Sequence, residues 1–294
     1  MRKGIICAIS AYFVWGLLPL YLKMMQHIAP LEILLHRMLW SLVFLMIVLA
    51  CKRHFSWIKT LVKNPKIILF FIASAISIAL NWFVYIWSVN NNHVVDASLG
   101  YFLLPLVNVI LGYFILNERL RIGQWCSVAI AALGVLWLAI DAGQIPWIAF
   151  VLASTFGIYG LLRKTAPLET LEGLSLETAI LAPFALSWLI WMAKNNQSSF
   201  VEGGDITRLL LVLAGPITAI PLLFFAAAAR RIPLYLLGFL QYIGPTLQML
   251  LGVFLWHESF ALSKIIGFAI VWSALVLFSI ESLWFIKRKK RHQR

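Results

Sequence analysis

The chain has 294 residues, 62% of them hydrophobic and only 12% charged, and its mean hydropathy is +0.92. A soluble globular domain does not tolerate so apolar an average, so hydrocarbon must be the solvent for most of this molecule. The net charge of +13 would suggest a nucleic-acid partner in a soluble protein, but here the basic residues lie between apolar runs and at the chain ends, which indicates membrane topology and predicts no nucleic-acid binding.

Ten apolar runs are long enough for transmembrane helices, each of which needs about 20 mainly apolar residues. Helices are expected because a lone segment in lipid must satisfy its own backbone hydrogen bonds. In chain order the predicted spans are 4–22, 31–50, 67–89, 94–116, 124–140, 145–162, 176–192, 209–228, 236–256 and 264–286. The loops between them are short, so no room remains for a soluble catalytic domain.

The orientation of these spans follows from Lys and Arg, which are retained on the cytoplasmic side. The first span begins directly after Arg2 and Lys3, and because no clear small-residue cleavage site follows it, we expect it to remain as a span rather than be removed as a signal peptide. With the N-terminus inside, 19 of the 24 basic residues fall in cytoplasmic segments, four fall outside, and Arg37 lies within the second span. Both termini are therefore predicted to be cytoplasmic, with the basic run from Lys287 to Arg291 as an anchor.

The second span carries Glu32, His36 and Arg37 near its start. A charge inside a bilayer is costly unless it faces a wet cavity or a polar partner, so these side chains are expected to point inward. Glu32 and His36 are four residues apart and share a helical face, whereas Arg37 could pair with a carboxylate on another helix. The alternative is an interfacial pair that only fixes this helix. If transport is coupled to protons, Glu32 or His36 could carry the proton.

The third and fourth spans each place polar groups on one face. Asn81 and Tyr85 are four residues apart, with Trp82 beside them, and an amide and a phenol could bind a polar substrate. The alternative is hydrogen bonding between helices. On the fourth span, Tyr101 and Asn108 are seven residues apart, which is two helical turns, and again share a face.

The sixth and ninth spans add further candidates. Tyr159 lies beside Gly160, and an aromatic ring can stack on a planar or cationic substrate, although most of the 13 Trp and 20 Phe must face lipid or pack. On the ninth span, Gln241 and Gln248 are seven residues apart, the same separation as on the fourth. Polar groups at matching separations are what a pseudo-symmetric cavity would require, unless the match is a coincidence.

Pro105 and Pro245 interrupt the fourth and ninth spans, because proline removes a backbone donor and clashes with the preceding turn. Kinks at these positions could act as gating hinges. The alternative is a static kink, with Gly112 and Gly252 allowing close packing.

The two halves of the sequence are related by an internal repeat. An offset of 140 residues aligns Pro105 with Pro245, Leu111 with Leu251, Gly112 with Gly252, Phe114 with Phe254 and Glu118 with Glu258. Nearby offsets align Gly16 with Gly157, Lys23 with Lys164 and Glu32 with Glu177. Glu118 and Glu258 are expected to cap helix ends or to pair with loop Arg or Lys.

Because each half contains five spans, the second copy is predicted to be inverted. Such inversion is typical of transporters that expose one midplane site alternately to either side. We therefore assign 1–141 to a first five-helix repeat, 142–286 to a second, inverted repeat, and 287–294 to a basic cytoplasmic tail.

Several stretches closely resemble the RarD group of EamA-type permeases. They are residues 32–37, 81–82, 97–102 and 105–108, and residues 238–246, which include Gln241 and Tyr242. The resemblance covers nearly the whole chain and implies the drug/metabolite transporter superfamily, an all-α integral membrane protein of ten helices in two inverted five-helix repeats around a central cavity, in the bacterial inner membrane. One departure is Leu104, which stands where an Asn is expected before the proline of the fourth span, so no polar contact is predicted there.

The function implied by the resemblance is secondary transport of small polar metabolites, amino acids among them, by alternating access. Drug efflux of the chloramphenicol type is an alternative. An intramembrane lipid-modifying enzyme is another, but it would need clustered titratable residues beyond Glu32 and His36. The chain has no Walker motif, no His-Glu-x-x-His, no paired cysteines and no Gly-x-Ser-x-Gly, so we expect no enzyme activity, cofactor or metal. The expected partners are a small-molecule substrate and membrane lipids, and a monomer is plausible.

Overall fold

A computed structural model describes residues 1–90, 94–141, 147–255 and 262–291. Within these ranges the backbone forms helices joined by connections, without a β-strand. In chain order the helices are α1 (Arg2–Lys23), α2 (Pro30–Cys51), α3 (Trp57–Lys63), α4 (Pro65–Asn90), α5 (Val94–Phe114), α6 (Ile122–Asp141), α7 (Trp147–Thr165), α8 (Thr170–Lys194), α9 (Ser199–Glu202), α10 (Asp205–Ala229), α11 (Leu234–Gln241), α12 (Ile243–Leu250) with a π-helical turn at Leu251–Leu255, and α13 (Leu262–Arg291).

The long helices form a membrane protein with an apolar outer surface. Six of the described helices are long and apolar enough to cross a membrane, namely α1, α2, α4 over Pro65–Tyr85, α6, α8 and α10. Shorter apolar stretches are Gly100–Phe114 in α5 and Ile265–Glu281 in α13. Leu69, Phe184 and Ile140 are each about 70% exposed, as expected for side chains that face lipid rather than water.

Most predicted span ends agree with the helix ends to within three residues, but the seventh span was placed too late. α8 begins at Thr170 rather than at 176, because Glu169 and Glu172 form a reciprocal capping box that starts the helix early. Arg163, which was assigned to a loop, lies in the last turn of α7 and is 1% exposed. The short helices α3 and α9 were not predicted.

The ninth predicted span is broken rather than continuous. α11 ends at Gln241 and α12 begins at Ile243, since Pro245 has no amide hydrogen to donate to the Gln241 carbonyl one turn earlier. Pro105 occupies the corresponding place in α5, yet α5 runs unbroken through it. A Cβ added at Gly238 would lie 3.0 Å from the Cα atom of Pro105, so α11 and α5 are in close contact at this proline.

Some predicted features lie outside the described residues. Glu258, the repeat partner of Glu118, is one of them, as are the boundary at residue 142 and the end of the basic tail at 292–294.

Helix packing follows the same pattern in both halves of the chain. Exchanging the halves relates α1 to α7, α2 to α8, α4 to α10, α5 to α11 with α12, and α6 to α13. Under this exchange, α4 packs on α7 as α10 packs on α1, α4 packs on α8 as α10 packs on α2, and α5 packs on α7 as α11 and α12 pack on α1. The remaining large contacts join each of α2, α5 and α6 to its own counterpart.

Two glycines show this relation at the level of single atoms. A Cβ added at Gly16 would lie 2.7 Å from the side chain of Leu247, and one added at Gly157 would lie 2.7 Å from the side chain of Val107. Val107 and Leu247 are themselves 140 residues apart. The absence of a side chain therefore permits the same helix crossing, α7 on α5 and α1 on α12, in both halves.

Candidate functional site

A cavity of about 150 Å³ lies between helices of both halves of the chain. Seven of the twelve residues predicted to bind substrate or to couple transport line this cavity, namely Arg37, Asn81, Trp82, Tyr85, Tyr101, Gln241 and Gln248. The hinge candidate Pro245 also lies in its wall. Some of the predicted polar residues from each of the second, third, fourth and ninth spans are thus brought together around one space.

A second cavity of about 310 Å³ adjoins the first. The two cavities share Leu22, Arg37, Trp82 and Tyr85 as lining residues. The walls of the second cavity continue along the connection between α1 and α2, including Gln26. The combined space therefore extends toward the end of the molecule at which α1 finishes.

Arg37 is the charged residue at the junction of the two cavities. Its Nε donates a hydrogen bond of 2.8 Å to the Thr218 hydroxyl, and its guanidinium lies 5.3 Å from the ring centroid of Trp82. Its electrostatic neighbours include the phenols of Tyr85 and Tyr101. We expected a possible carboxylate partner on another helix, but in the described part of the chain Arg37 forms no ion pair. Its neighbours are instead the hydroxyl of Thr218, on the facing helix α10, and the ring of Trp82.

The cavity walls carry positive charge without a compensating negative one. Among the described residues that line either cavity, none is Asp or Glu, whereas Arg37 lines both. Isolated charge in a low-dielectric interior is unfavourable unless water or a ligand of opposite sign compensates it.

Two of the cavity amides are committed to structural hydrogen bonds. Asn81 Nδ2 donates to the Leu152 carbonyl at 2.8 Å and to the Thr155 hydroxyl at 3.0 Å, and Gln248 Nε2 donates to the Trp15 carbonyl at 3.1 Å. Both therefore tie helices together, and for Asn81 this is the alternative that the sequence analysis leaves open.

The third amide, that of Gln241, is different. The side chain is 5% exposed, lines the cavity, and its Oε1 accepts no hydrogen bond from any described residue. Buried polar atoms in native structures are normally paired, so an unpaired acceptor in a cavity wall is a candidate ligand contact.

Glu32 and His36 lie away from both cavities. Glu32 is 0% exposed, and its Oε1 accepts hydrogen bonds from the Ser198 hydroxyl at 3.0 Å and from the Phe200 amide at 3.1 Å. The His36 ring lies 4.9 Å from that of Phe200, and its Nδ1 accepts a hydrogen bond from the indole of Trp40. These contacts fasten α2 to the segment around α9.

Tyr159, Asn108 and Tyr242 are buried in helix contacts. Tyr159 stacks on Phe225, with ring centroids 5.9 Å apart, and Tyr242 donates a hydrogen bond of 3.2 Å to the Phe102 carbonyl. Asn108 is 2% exposed beside the close approach of α7 and α11 to α5. Substrate contact by these three residues stays a prediction. Their burial between helices, outside the lining of both cavities, does not favour it.

Sequence reasoning missed an ionic network next to the cavity. Arg163 Nη1 lies 3.3 Å from Glu177 Oε1, which also accepts a hydrogen bond of 2.5 Å from the Ser74 hydroxyl, while Tyr159 donates to Glu177 Oε2 at 3.2 Å. Glu177 lines a small void of about 10 Å³ together with Trp82 and Thr218. These two residues also line the cavity. Glu177 was noticed only as the repeat partner of Glu32, and Arg163 only as a topological charge.

A second ionic contact lies at the end of the molecule opposite the second cavity. Glu118 accepts hydrogen bonds of 2.8 Å from the Leu234 amide at the start of α11, and its Oε1 lies 3.4 Å from Lys164 Nζ. Lys164 also donates to the carbonyls of Ala229 at 3.2 Å and Ile232 at 2.6 Å. The expectation that Glu118 caps a helix end and pairs with a basic residue is confirmed.

Comparison with known proteins places this architecture. The profile of the EamA-like transporter family matches residues 2–140. Protein RarD of Escherichia coli (strain K12) is 41% identical over 290 residues, which are 99% of this chain and 98% of that protein. The uncharacterized transporter YojE of Bacillus subtilis (strain 168) is 44% identical over 295 residues, again 99% and 98% of the two chains.

A solved crystal structure shares the fold, with a TM-score of 0.71 and 18% identity over 95% of this chain and 98% of that chain. The all-α architecture is thus that of a fold already solved, and the relatives match this chain over nearly its whole length. The chain belongs to the RarD group of EamA-type permeases, within the EamA-like transporter family.

Proposed function

We propose that this membrane transporter moves small polar metabolites, amino acids among them, through the central cavity by alternating access. The observation that carries the proposal is a polar cavity with an arginine in its wall, enclosed by helices of both halves inside an apolar exterior. A protein that only scaffolded a membrane complex would not need such a space. Ligand sites between discontinuous helices near the midplane are typical of secondary transporters.

The two halves, 1–141 and 142–286, are proposed to be inverted repeats that rock about the cavity. The helix pairs that exchange when the halves are exchanged support this arrangement, as do the matched close contacts of Gly16 and Gly157. The match of the family profile to residues 2–140 also falls within the first of the proposed repeats.

The proposed location is the bacterial inner membrane, with both termini in the cytoplasm and 287–294 as a cytoplasmic tail. The distribution of Lys and Arg supports this orientation. In that orientation the second cavity extends toward the outside, and the contact of Glu118 with Lys164 closes the cytoplasmic side.

Transport rather than catalysis is proposed because the cavity presents one arginine, amides, phenols and indoles, and no described acidic or histidine side chain that could act as acid or base. We propose a monomer that acts without nucleic acid, cofactor or metal, and whose partners are its substrate and the surrounding lipid. Drug efflux remains the second candidate substrate class within the same mechanism.

The test is flux in purified proteoliposomes supplied with labelled amino acids, other small acids and chloramphenicol. Protein-dependent accumulation or counterflow of a metabolite is expected, and it should saturate with concentration. No protein-dependent flux of any compound, in either orientation of the gradient, would contradict the proposal.

Proton coupling is a further part of the proposal, and Glu32 and His36 are its candidate carriers. Their position at the α9 segment means that protonation would act on the packing of α2 rather than on the substrate directly. Flux with and without an imposed pH gradient decides the question, and equal rates would exclude the coupling. If a gradient does drive flux, Glu32→Gln should abolish that stimulation and leave counterflow intact.

A further inference from the structure

Arg37 offers two unused donor groups to the cavity. A guanidinium carries five N–H donors in a planar fork. Its Nε is occupied by the Thr218 hydroxyl at 2.8 Å, and its two terminal nitrogens donate no hydrogen bond within the described part of the chain. The end of the fork, Nη1 with Nη2, is the edge left for a ligand.

The surroundings hold this fork in place without neutralising it. Trp82 lies 5.3 Å from the guanidinium carbon, close enough for a cation–π contact. The Thr218 hydroxyl fixes the opposite edge and itself donates to the Ala214 carbonyl at 2.7 Å. The arginine is thus oriented from two sides by uncharged groups, and because no described lining residue carries a negative charge, an anionic occupant of the cavity would be stabilised there.

The acceptor that complements this donor lies in the same wall. Gln241 Oε1 is buried and unpaired, so it requires an N–H or O–H donor. The rest of the lining is largely apolar, and the Trp15 ring contacts those of Tyr12 and Phe156. These features together define a ligand with a carboxylate, a hydrogen-bond donor and an apolar body.

We propose that the substrate is a small carboxylic acid whose carboxylate binds the end of the Arg37 fork in bidentate geometry, while an amino or hydroxyl group of the same molecule donates to Gln241. The proposal rests on the proposed function only in that the occupant is called a substrate. Amino acids and hydroxy acids share this chemistry. Amines and carboxamides do not, because a cation is repelled by Arg37 and a neutral amide lacks the charge-assisted pair.

Binding to the full-length protein in nanodiscs tests the proposal independently of transport. The probes are phenylalanine, 3-phenyllactate, phenylalaninamide and chloramphenicol, and the dissociation constant is measured by titration calorimetry. Both carboxylates are expected to bind roughly tenfold or more tightly than the amide, given the strength of hydrogen bonds to charged groups. Between them, phenylalanine and phenyllactate distinguish an amino from a hydroxyl donor.

Three variants assign the carboxylate to its partner. Arg37→Gln should weaken carboxylate binding roughly tenfold or more and leave the binding of phenylalaninamide unchanged or stronger. Arg37→Lys keeps the charge but not the fork, so its affinity for carboxylates should lie between those of the unsubstituted protein and Arg37→Gln. The matched control is Arg231→Gln, because Arg231 is exposed in the connection after α10 and, among the described residues, its side chain donates only to the Ala227 carbonyl in the last turn of that helix. It should bind as the unsubstituted protein does.

Thermal unfolding verifies that each variant is folded, and Gln241→Leu provides a second route if Arg37 variants do not fold. Gln241→Leu should weaken binding of both carboxylates while preserving their preference over the amide. Equal binding of amide and carboxylate, no binding of either carboxylate, or unchanged affinity in folded Arg37→Gln would each overturn the proposal. Binding of carboxylates without any flux would instead contradict the transport function and leave this assignment standing.

Discussion

Arg163 and Glu177 are the largest concentration of buried charge in the described residues outside the cavity, with exposures of 1% each. They lie on α7 and α8, and the hydroxyl of Ser74 on α4 completes the contact. A buried ion pair contributes modestly to stability as a whole, because desolvation offsets its attraction, but each partner depends strongly on the other. The pair therefore fixes three helices directly beside the cavity.

Arg163→Met should destabilise the protein by about 3–5 kcal/mol, because it leaves the Glu177 carboxylate buried without its partner. The free energy of unfolding in detergent, followed by denaturant titration, measures the loss. The control is Arg208→Met, which removes an exposed pair with Asp205 at 3.2 Å and exposed hydrogen bonds to the carbonyls of Phe200 and Val201, and which should cost about 1 kcal/mol because water replaces these contacts. Similar losses in the two variants would show that the buried pair has no special role, whereas adding Glu177→Gln to Arg163→Met should recover part of the stability.

The sequence made Arg37, Tyr85 and Gln241 visible as candidates because polar residues stand out in apolar spans, and all three line the cavity. It did not identify their partners. Thr218 is a small hydroxyl in an otherwise apolar run, a residue type that usually bonds its own helix, so nothing in the sequence marks it as the contact of Arg37. Arg163 stands at the end of a span, where basic residues normally report topology, and only packing reveals that it turns inward.

At the scale of the helix, the sequence predicts well where the long helices lie but poorly whether each of them is continuous. In the described part of the chain, helix is found at each of the ten spans predicted from hydropathy, the ninth being the pair α11 and α12, since bilayer thickness sets the length of a span. It could not predict that α5 continues through Pro105 while the corresponding segment breaks into α11 and α12. Both prolines remove the same kind of backbone hydrogen bond, so the presence of a proline alone does not determine whether the helix breaks.

α2 and α10 approach most closely at Gly215, and this contact positions Arg37. A Cβ added there would lie 2.3 Å from the carbonyl carbon of Trp40, and the Ser41 hydroxyl donates to the Gly215 carbonyl at 3.0 Å. One turn further along α10, Thr218 holds Arg37. The helix crossing and the donor fork are therefore parts of one interface.

Gly215→Ala should separate α2 from α10 and destabilise the protein by roughly 1–3 kcal/mol, as overpacking against backbone commonly does. Carboxylate affinity should fall with it, because the Thr218 contact of Arg37 is strained. Thermal unfolding and the nanodisc titration report the two effects. Gly204→Ala, directly before α10, is the matched substitution, since its added Cβ would meet nothing within 4 Å, and equal behaviour of the two alanine variants would contradict the argument.

At the scale of the whole molecule, the cavity extends toward the end of α1, and an ionic contact lies at the opposite end. This contact joins the two halves, because Glu118 from the first half contacts Lys164 and the start of α11 from the second. An element that ties the halves together at one end only is expected to separate when the proposed repeats rock. A population shift of this kind needs only the loss of a few polar contacts.

Lys164→Met should favour the state that is open at the end of the molecule where Lys164 lies, because it removes the ion pair with Glu118 at 3.4 Å and two hydrogen bonds to backbone carbonyls. Cys7 lies in the first part of α1, at this end, where it is half-buried against the hydrophobic core. It can report on opening once the two exposed cysteines are replaced by serine. Its labelling by a membrane-impermeant maleimide, applied from the side of the N-terminus, should accelerate roughly fivefold or more, since coupling free energies of this kind are typically about 1–3 kcal/mol. Lys66→Met, at an exposed lysine, should leave the rate unchanged. If Lys164→Met does not alter the labelling of Cys7 while the protein remains folded, the contact is a static fastening and the two halves must separate elsewhere.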